Sequence, residues 1–342
     1  MPCWLSVSSP WSEPATSTPN QPAATATSAA DAGVYVVQPG DNPWNLTRRY
    51  LKSIDYWPRI QDYNRILEPE TIRPGSVLRI PVAWMRGERG GAEVIDVRGE
   101  VEVRSAGGSE ALSPGMRVLP GMQVRSGADS SLTLEFPDGS RSLVGADTTF
   151  GVRRLERLRA SGAQQLELQL ERGHIENLVN PVRGGGRYII HTPAAVAAVR
   201  GTDFRITAVR DGVRAETLEG EVALRNARGQ TRLPAGRGSY AQRGKLPERA
   251  SALLPAPELA GLPAVIDRVP FRIPIEPVAG ALRYRTQLSP AGGFTVLASD
   301  RSADEAAALG SGELPDGRYR VRVRAVDGRG LEGLDGEREV LI

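Results

Sequence analysis

Hydrophobic positions along this chain fall mostly into short alternating runs, and only one stretch shows helical spacing. QLELQLERG sets Leu166, Leu168 and Leu170 at every second residue with polar side chains between them, the pattern of a half-buried strand. FRITAVRDGVRAETL alternates again about Asp211-Gly212, a dipeptide that predicts a two-residue hairpin turn in which the glycine takes a positive φ. LPDGRYRVRVRAVDGRGLEG reads as a turn, a long strand and another turn. Tyr319, Val321, Val323 and Ala325 share one face of that strand, and Arg318, Arg320, Arg322 and Arg324 share the other. An arginine row of this kind fits an anionic partner or a solvated strand face, and the solvated face is the expectation. The helical exception lies between Pro43 and Asn64, where Trp44, Leu46 and Leu51 are expected to face inward and a second helix starting near Pro58 carries Ile60 and Tyr63.

Breaks in the pattern divide the chain. Residues 1–33 are rich in Pro, Ala, Ser and Thr with hardly a charge; too little apolar surface is present to order them, so they read as a flexible tether. Residues 34–82 form a compact mixed segment, 93–245 a run of strands and glycine turns, 246–262 a second Pro/Ala-rich linker, and 263–342 a final strand-and-turn region. At 342 residues, two or three domains are expected. One internal echo stands out: GEVEVRSAGG at 99–108 recurs as GEVALRNARG at 220–229, and the same offset aligns Leu112 with Leu233 and Gly115 with Gly236. Both ends of the central region are therefore expected to use the same strand–turn–strand unit.

Composition narrows the function more than the fold. The formal net charge is only +3 with acids and bases interspersed, so no clustered basic face supports nucleic-acid binding. Cys3 is the only cysteine, which rules out an internal disulfide, and His174 and His191 are the only histidines, in no metal-ligand spacing. No cofactor or metal is expected. No run approaches the ~18 apolar residues of a membrane helix, so no integral span is expected. MPCWLSVSSPW lacks the basic and apolar regions of a secretory leader; a start annotated too late, or an atypical leader, is the expectation, because the next segment argues for export.

That segment, VYVVQPGDNPWNLTRRYLKSIDYWPRIQDYNRILEPETIRPGSVLRIP, orders itself as strand, helix, helix, strand. Pro39-Gly40-Asp41 turns the chain, Asn42 is placed to cap a helix, and Pro43 sits at the first helical position where a missing N–H costs nothing. These residues resemble a LysM module: Tyr35 and Val37, then PGDNPWNL, then PGSVLRIP from Pro74 to Pro81. The resemblance implies binding of an N-acetylglucosamine-containing glycan, peptidoglycan or chitin, in a shallow groove between two loops. On this sequence those loops are Gly40, Asp41, Asn42 and Pro43, facing Ile66, Leu67 and Glu68. Asn42 stands where threonine or serine is common. Peptidoglycan lies outside the inner membrane, so the periplasm or cell envelope is the expected location.

A wall-tethered hydrolase would need a catalyst, and none emerges. Glu135 and Asp138 in LEFPDGS come closest to a carboxylate pair, yet PDG is an ordinary turn. No G-x-S-x-G elbow occurs, and His174 is expected to be an exposed strand residue. The stretch HTPAAVAAVRGTDFRI instead reads as architecture. Thr192-Pro193 ends one strand, Ala194 to Val199 permit close backbone approach, Arg200-Gly201 turns the chain, and Thr202 and Asp203 can bond local amides. Arg200 is expected to bond a carboxylate or carbonyls across the fold, with Asp203 a candidate partner. The segment resembles the FecR-type periplasmic domain through Thr192, Pro193, Ala195, Val199, Arg200, Gly201, Thr202 and Phe204, and through GMRVLPGMQVRSGADSSLTLEFPDGS upstream. That resemblance implies a non-catalytic β domain acting by contact. Leu314-Pro315 ahead of Tyr319 resembles the strand corner of fibronectin type III and immunoglobulin-like sandwiches, implying a spacer or contact module.

The fold expected is multidomain and mainly β: a small βααβ LysM module, a central all-β FecR-like domain and a C-terminal β-sandwich. The function expected is a non-catalytic envelope protein that binds peptidoglycan and an envelope protein partner. A periplasmic signalling component is the alternative, and a hydrolase with an unrecognised site the weaker one. Arg200, Gly201, Thr202, Asp203 and Tyr319 are expected to determine the fold rather than the chemistry.

Overall fold

The computed structural model describes residues 32–68, 72–182, 184–267, 271–290, 294, 296–303 and 314–342. The expectation for the tether, 1–33, therefore lies outside the described residues except at Ala32 and Gly33. The described residues are mainly β, with one small helical region near the N-terminus.

At the N-terminus, Ala32–Val36 pairs antiparallel with Val77–Pro81, and Val36 lies opposite Val77. Two helices connect them, α1 (Pro43–Tyr50) and α2 (Tyr56–Asn64). Asn42 caps α1 as expected: its side chain accepts from the Asn45 amide at 2.9 Å, and the Asn45 side chain accepts from the Asn42 amide at 2.9 Å. Leu46, Leu51 and Ile60 are buried, but Trp44 is 60% exposed. The correction follows from helix geometry, since at ~100° per residue Trp44 lies about 110° from the centre of the Leu46, Thr47 and Tyr50 face. Helix α2 starts at Tyr56, two residues before Pro58, because a first-turn proline gives up no helical bond.

This module does not stand apart. Its core includes Leu158 and Ala163, which come from the tip of the hairpin between strands Thr149–Leu158 and Gln164–Leu178. The connecting strand Gly87–Arg89 pairs with that same hairpin, Glu156 opposite Arg89. Gly33 marks how close the contact is, for a Cβ there would come within 2.8 Å of the Gly184 carbonyl oxygen.

Strands from Gly87–Arg89 to Ser251–Ala252 close on one another into a barrel around one apolar core. Leu166, Leu168 and Leu170 point into it, as their alternation predicts. Gln164–Leu178 is long enough to serve two sheets. Gln165–Gln169 pairs parallel with Arg187–His191, and Gly173–Leu178 pairs antiparallel with Asp203–Val209. The crossing falls at Gly173, where φ is +96° and a Cβ would sit 2.4 Å from the Thr148 Cα. The echoed hairpins occupy equivalent places: Ser105 pairs with Gly108 as Asn226 pairs with Gly229, and Leu112 and Leu233 are both buried. The predicted hairpin about Asp211-Gly212 forms, but its turn residues are Arg210 and Asp211, with Gly212 already in the second strand. Gly212 does not take a positive φ. It is needed because the Tyr240 ring packs 2.5 Å from where its Cβ would be.

The C-terminal region forms a four-stranded antiparallel sheet in the order Ser299–Ala303, Arg283–Pro290, Arg318–Val326, Gly336–Leu341. Tyr319 donates its hydroxyl to the Pro315 carbonyl at 2.8 Å, closing the corner that the sequence suggested. The apolar face, with Tyr284, Leu288, Val321 and Val323, packs against Leu259, Leu262, Ile266 and Ile273 from extended chain. The packing is thus sheet on extended chain, and no second hydrogen-bonded sheet occurs in this region among the described residues. Pro255, Pro257, Pro263, Pro274 and Pro277 withhold the ladder donors that a second sheet would need. The 246–262 stretch, expected as a linker, is structured: Ser251–Ala252 extends the barrel, and Leu253, Leu259 and Leu262 are buried.

Candidate functional site

The two loops singled out from sequence lie at the same end of the small N-terminal sheet, because Val36 ends one strand where Val77 begins the other. Their polar groups are used very differently. Asp41 Oδ2 accepts from the Tyr35 hydroxyl at 2.7 Å and from the Gln38 amide at 2.7 Å. Burial, with Asp41 beside it, raises the Tyr35 hydroxyl pKa far above the ordinary phenol range. Asn42 is occupied by the cap, and Asn45 Nδ2 donates to the Gly40 carbonyl at 3.0 Å. Gly40 itself takes φ +87° with open space around it. The first loop is therefore a self-satisfied scaffold.

The second loop is open. Asn64 ties α2 to the second strand, donating to the Arg79 carbonyl at 2.8 Å and accepting from the Arg79 amide at 2.7 Å. Arg65 then ends the helix in the left-handed region, φ 54°, and directs the chain outward. A shallow concavity of ≈480 Å³ follows, lined by Asn64, Arg65, Ile66, Leu67, Glu68, Ile72, Arg73, Ser76, Val77 and Leu78. Leu67 is 94% exposed. The structure thus gathers Ile66, Leu67 and Glu68 in one concavity, while Gly40, Asp41, Asn42 and Pro43 do not line it.

The central stretch keeps the architectural character read from sequence, with one reassignment. Thr192 Oγ1 accepts from the amides of Ala194 and Ala195 at 3.3 and 3.1 Å, closing the strand break. Gly201 takes φ +70°, and a Cβ there would sit 2.6 Å from the Pro181 Cα. Thr202 is buried and exchanges backbone bonds with Val179 at 2.9 and 3.0 Å. Arg200, in contrast, is exposed and makes no hydrogen bond or ion pair among the described residues, so the expected bond across the fold, to Asp203 or to carbonyls, is not made. The buried arginine of this segment is Arg205, five residues on.

Arg205 belongs to a feature that sequence reading missed. Across adjacent barrel strands the register sets Glu176 beside Arg205 and Arg205 beside Glu216. The polar face of the C-terminal sheet lies over this row. Arg324, 0% exposed, donates through Nη2 and Nη1 to the two oxygens of Glu176 at 2.6 and 2.9 Å, and through Nη1 to Glu332 at 2.9 Å. Arg285 forks onto Asp300 at 2.8 and 2.6 Å and reaches Glu332 at 2.7 Å. Arg205, also 0% exposed, donates to the Gly333 carbonyl at 2.7 Å and stands 3.4 Å from Glu332. His174, expected to be exposed, is only 8% exposed and sits 3.5 Å from Glu176, with Nδ1 2.8 Å from the Thr207 hydroxyl. The expected solvated arginine row is thus half an interface: Arg322 and Arg324 face Glu176, while Arg318 and Arg320 remain at the exposed end.

Electrostatics within the cluster divides its acids into two groups. Burial alone would raise Glu176 and Glu332, but neighbouring guanidinium groups, chiefly Arg324 for Glu176 and Arg285 for Glu332, hold both well below the usual carboxylate range. Glu216 goes the other way: burial, with Glu332 nearby, outweighs Arg205 and pushes it up to about 8. Asp203 lies at the margin, where burial and the charges of Asp335 and Glu176 raise it to about 6. The only polar side-chain cues were the alternating arginines and charged residues inside strands, and unlike charges align only once the register is known.

No group of three or more His, Cys, Asp or Glu side chains among the described residues is arranged to hold a metal ion. Glu135 is paired with Arg141 at 2.7 Å, and Asp138 accepts from the Ser140 amide at 3.0 Å within its turn. No described helix is long and apolar enough to cross a membrane.

Residues 35–81 match the LysM domain, and residues 122–223 match FecR protein. These matches support the LysM-like reading of the N-terminal module and the FecR-like reading of the central part of the barrel, whereas no family match supports the fibronectin-type reading of the C-terminal sheet. No curated protein matches the chain. Two crystal structures of a protein assigned as an anti-sigma factor from Parabacteroides distasonis ATCC 8503 are similar at 16% and 18% identity, each with a TM-score of 0.31. The match takes in 38% of this chain, and the chain spans 60% of the length of each.

Proposed function

We propose that this chain is a non-catalytic component of the cell envelope that binds N-acetylglucosamine-containing glycan of peptidoglycan through its LysM module and contacts a protein partner through its β regions. The observation that carries the reading is the open concavity at Ile66, Leu67 and Glu68, on a module that matches LysM. An exposed leucine beside polar side chains suits the apolar face and acetamido groups of a sugar. In this reading Gly40, Asp41, Asn42 and Pro43, at the same end of the small sheet, supply the other side of the groove. Periplasm or cell envelope is the location that this ligand requires.

Retention of the full chain on insoluble peptidoglycan tests the reading. Wild type should co-sediment, and Leu67→Ser should lose at least about fivefold in affinity, ~1 kcal/mol, with an unchanged Tm. Failure of the wild-type chain to co-sediment would sink it. A second reading, a periplasmic signalling component, is favoured by the FecR match at 122–223. Cross-linking in intact envelopes separates the two: a membrane-protein adduct through the barrel supports signalling, and adducts to wall material alone support anchoring.

A further inference from the structure

The barrel has two outer faces, and their characters are reversed from what solvent exposure predicts. The face under the C-terminal sheet is charged, with Glu176, Arg205 and Glu216 all engaged. The open face is apolar in its middle. It is built from Arg187–His191, Val196–Val199, Glu221–Asn226 and Gly229–Pro234, whose register sets Ile189 opposite Ala198 and Ala198 opposite Ala223. Val196 stands beside them, opposite Arg225. These short side chains floor a trough of ≈630 Å³ whose lining includes Arg187, Arg200, Arg225 and one carboxylate, Glu221. Arg200 and Arg225 are exposed and make no ion pair among the described residues.

A one-sided sheet normally turns polar residues to water and apolar ones inward. Here an apolar strip is exposed between Arg200 and Arg225, neither of which has a counter-charge among the described residues. We infer that this trough is a docking site for an acidic, extended segment of a partner protein. The inference rests on the reading of the barrel as a contact module and names the chemistry of what it contacts. Alanine flooring admits a polypeptide backbone lying along the sheet, with apolar side chains against Ile189 and Val196. Guanidinium groups at Arg200 and Arg225 then receive carboxylates through paired, charge-assisted bonds. A phosphate polymer would satisfy the arginines but gain nothing from the floor. The exposure of Arg200, which makes no side-chain bond among the described residues, is accounted for by this role.

The test uses the full chain and three fluorescent probes of equal length: an alternating Glu-Val peptide, polyglutamate and polyphosphate. The Glu-Val peptide should bind saturably and at least about tenfold more tightly than polyglutamate, because only it uses the floor. Arg200→Glu combined with Arg225→Glu should abolish binding, and Ala198→Tyr should weaken the Glu-Val peptide about tenfold while leaving polyphosphate unaffected. All variants should keep the wild-type Tm, since the altered side chains are exposed. Leu67→Ser should leave peptide binding intact, which separates this site from the glycan site. Equal binding of the Glu-Val peptide and polyglutamate, or survival of binding in the double variant, would overturn the inference. Tighter binding of polyphosphate than of the Glu-Val peptide would do the same, in favour of a polyanion surface.

Discussion

The second LysM loop and the cluster between barrel and C-terminal sheet are opposite uses of polar chemistry. The loop is exposed and open, with Leu67 almost wholly in water and a concavity beside it. The cluster is largely closed to solvent: Glu176 alone takes bonds from Arg324, Arg322 and Gln287, and Arg205, Arg285 and Arg324 are buried. The loop turns an apolar side chain to solvent, whereas the cluster turns its buried arginines and carboxylates toward one another. On the proposed reading, ligand binding belongs to the loop and cohesion to the cluster.

The largest effect expected is at Arg324. Arg324→Ala leaves Glu176, Glu332 and Asp335 without their shared cation in a sealed interface, at a cost of about 3–5 kcal/mol. Calorimetry should show a lower Tm, with the C-terminal sheet melting ahead of the barrel, and peptidoglycan retention by the remaining folded LysM module should persist. An unchanged Tm would mean that the cluster contributes nothing to cohesion.

Next in size is the dependence on pH. Asp203 and Glu216 have folded-state pKa values raised to about 6 and about 8, so the folded protein holds their protons more tightly than the unfolded chain does. Their contribution is fully present below their ordinary values near 4 and is lost as pH rises through 6 and then 8. Stability should thus decline between about pH 4 and pH 8 by on the order of 1–3 kcal/mol, and Glu216→Gln should flatten the upper part of that decline. Glu176 and Glu332 act with the opposite sign, and their contribution is lost only as pH falls below the usual carboxylate range. Denaturation midpoints measured across that range, in wild type and Glu216→Gln, check both legs.

The smallest effect on stability is expected at Arg200. Arg200→Ala should change stability by less than about 0.5 kcal/mol, because the side chain is exposed and unbonded among the described residues. Arg205→Ala, five residues along, should cost several-fold more. A large loss at Arg200 would erase the distinction between open and sealed arginines.

How far each region could be read from sequence follows the same division. The LysM module was legible because its signals are local: Asn42 at a cap, Pro43 at a first turn and matched apolar positions, all within 35–81. Alternating leucines at 166, 168 and 170 likewise reported their own burial. The exposure of Trp44 was missed because inward spacing was read without fixing the direction of the helix face. The cluster was illegible because Glu176 and Arg324 are 148 residues apart, and a charged residue in a strand looks solvated until its register partners are known. Arg200 and Arg205 show the limit most directly. Both sit in one segment, and nothing local tells which of them is buried.

The account's central claim is that the open LysM loop, and not the sealed cluster, binds wall glycan. Co-sedimentation of the full chain with purified peptidoglycan, run in parallel on wild type, Leu67→Ser and Arg324→Ala, tests it most directly. Wild type and Arg324→Ala should be retained alike, and Leu67→Ser should be depleted from the pellet with an unchanged Tm. Retention of Leu67→Ser at the wild-type level, or loss of retention in Arg324→Ala while its LysM module remains folded, would contradict the claim.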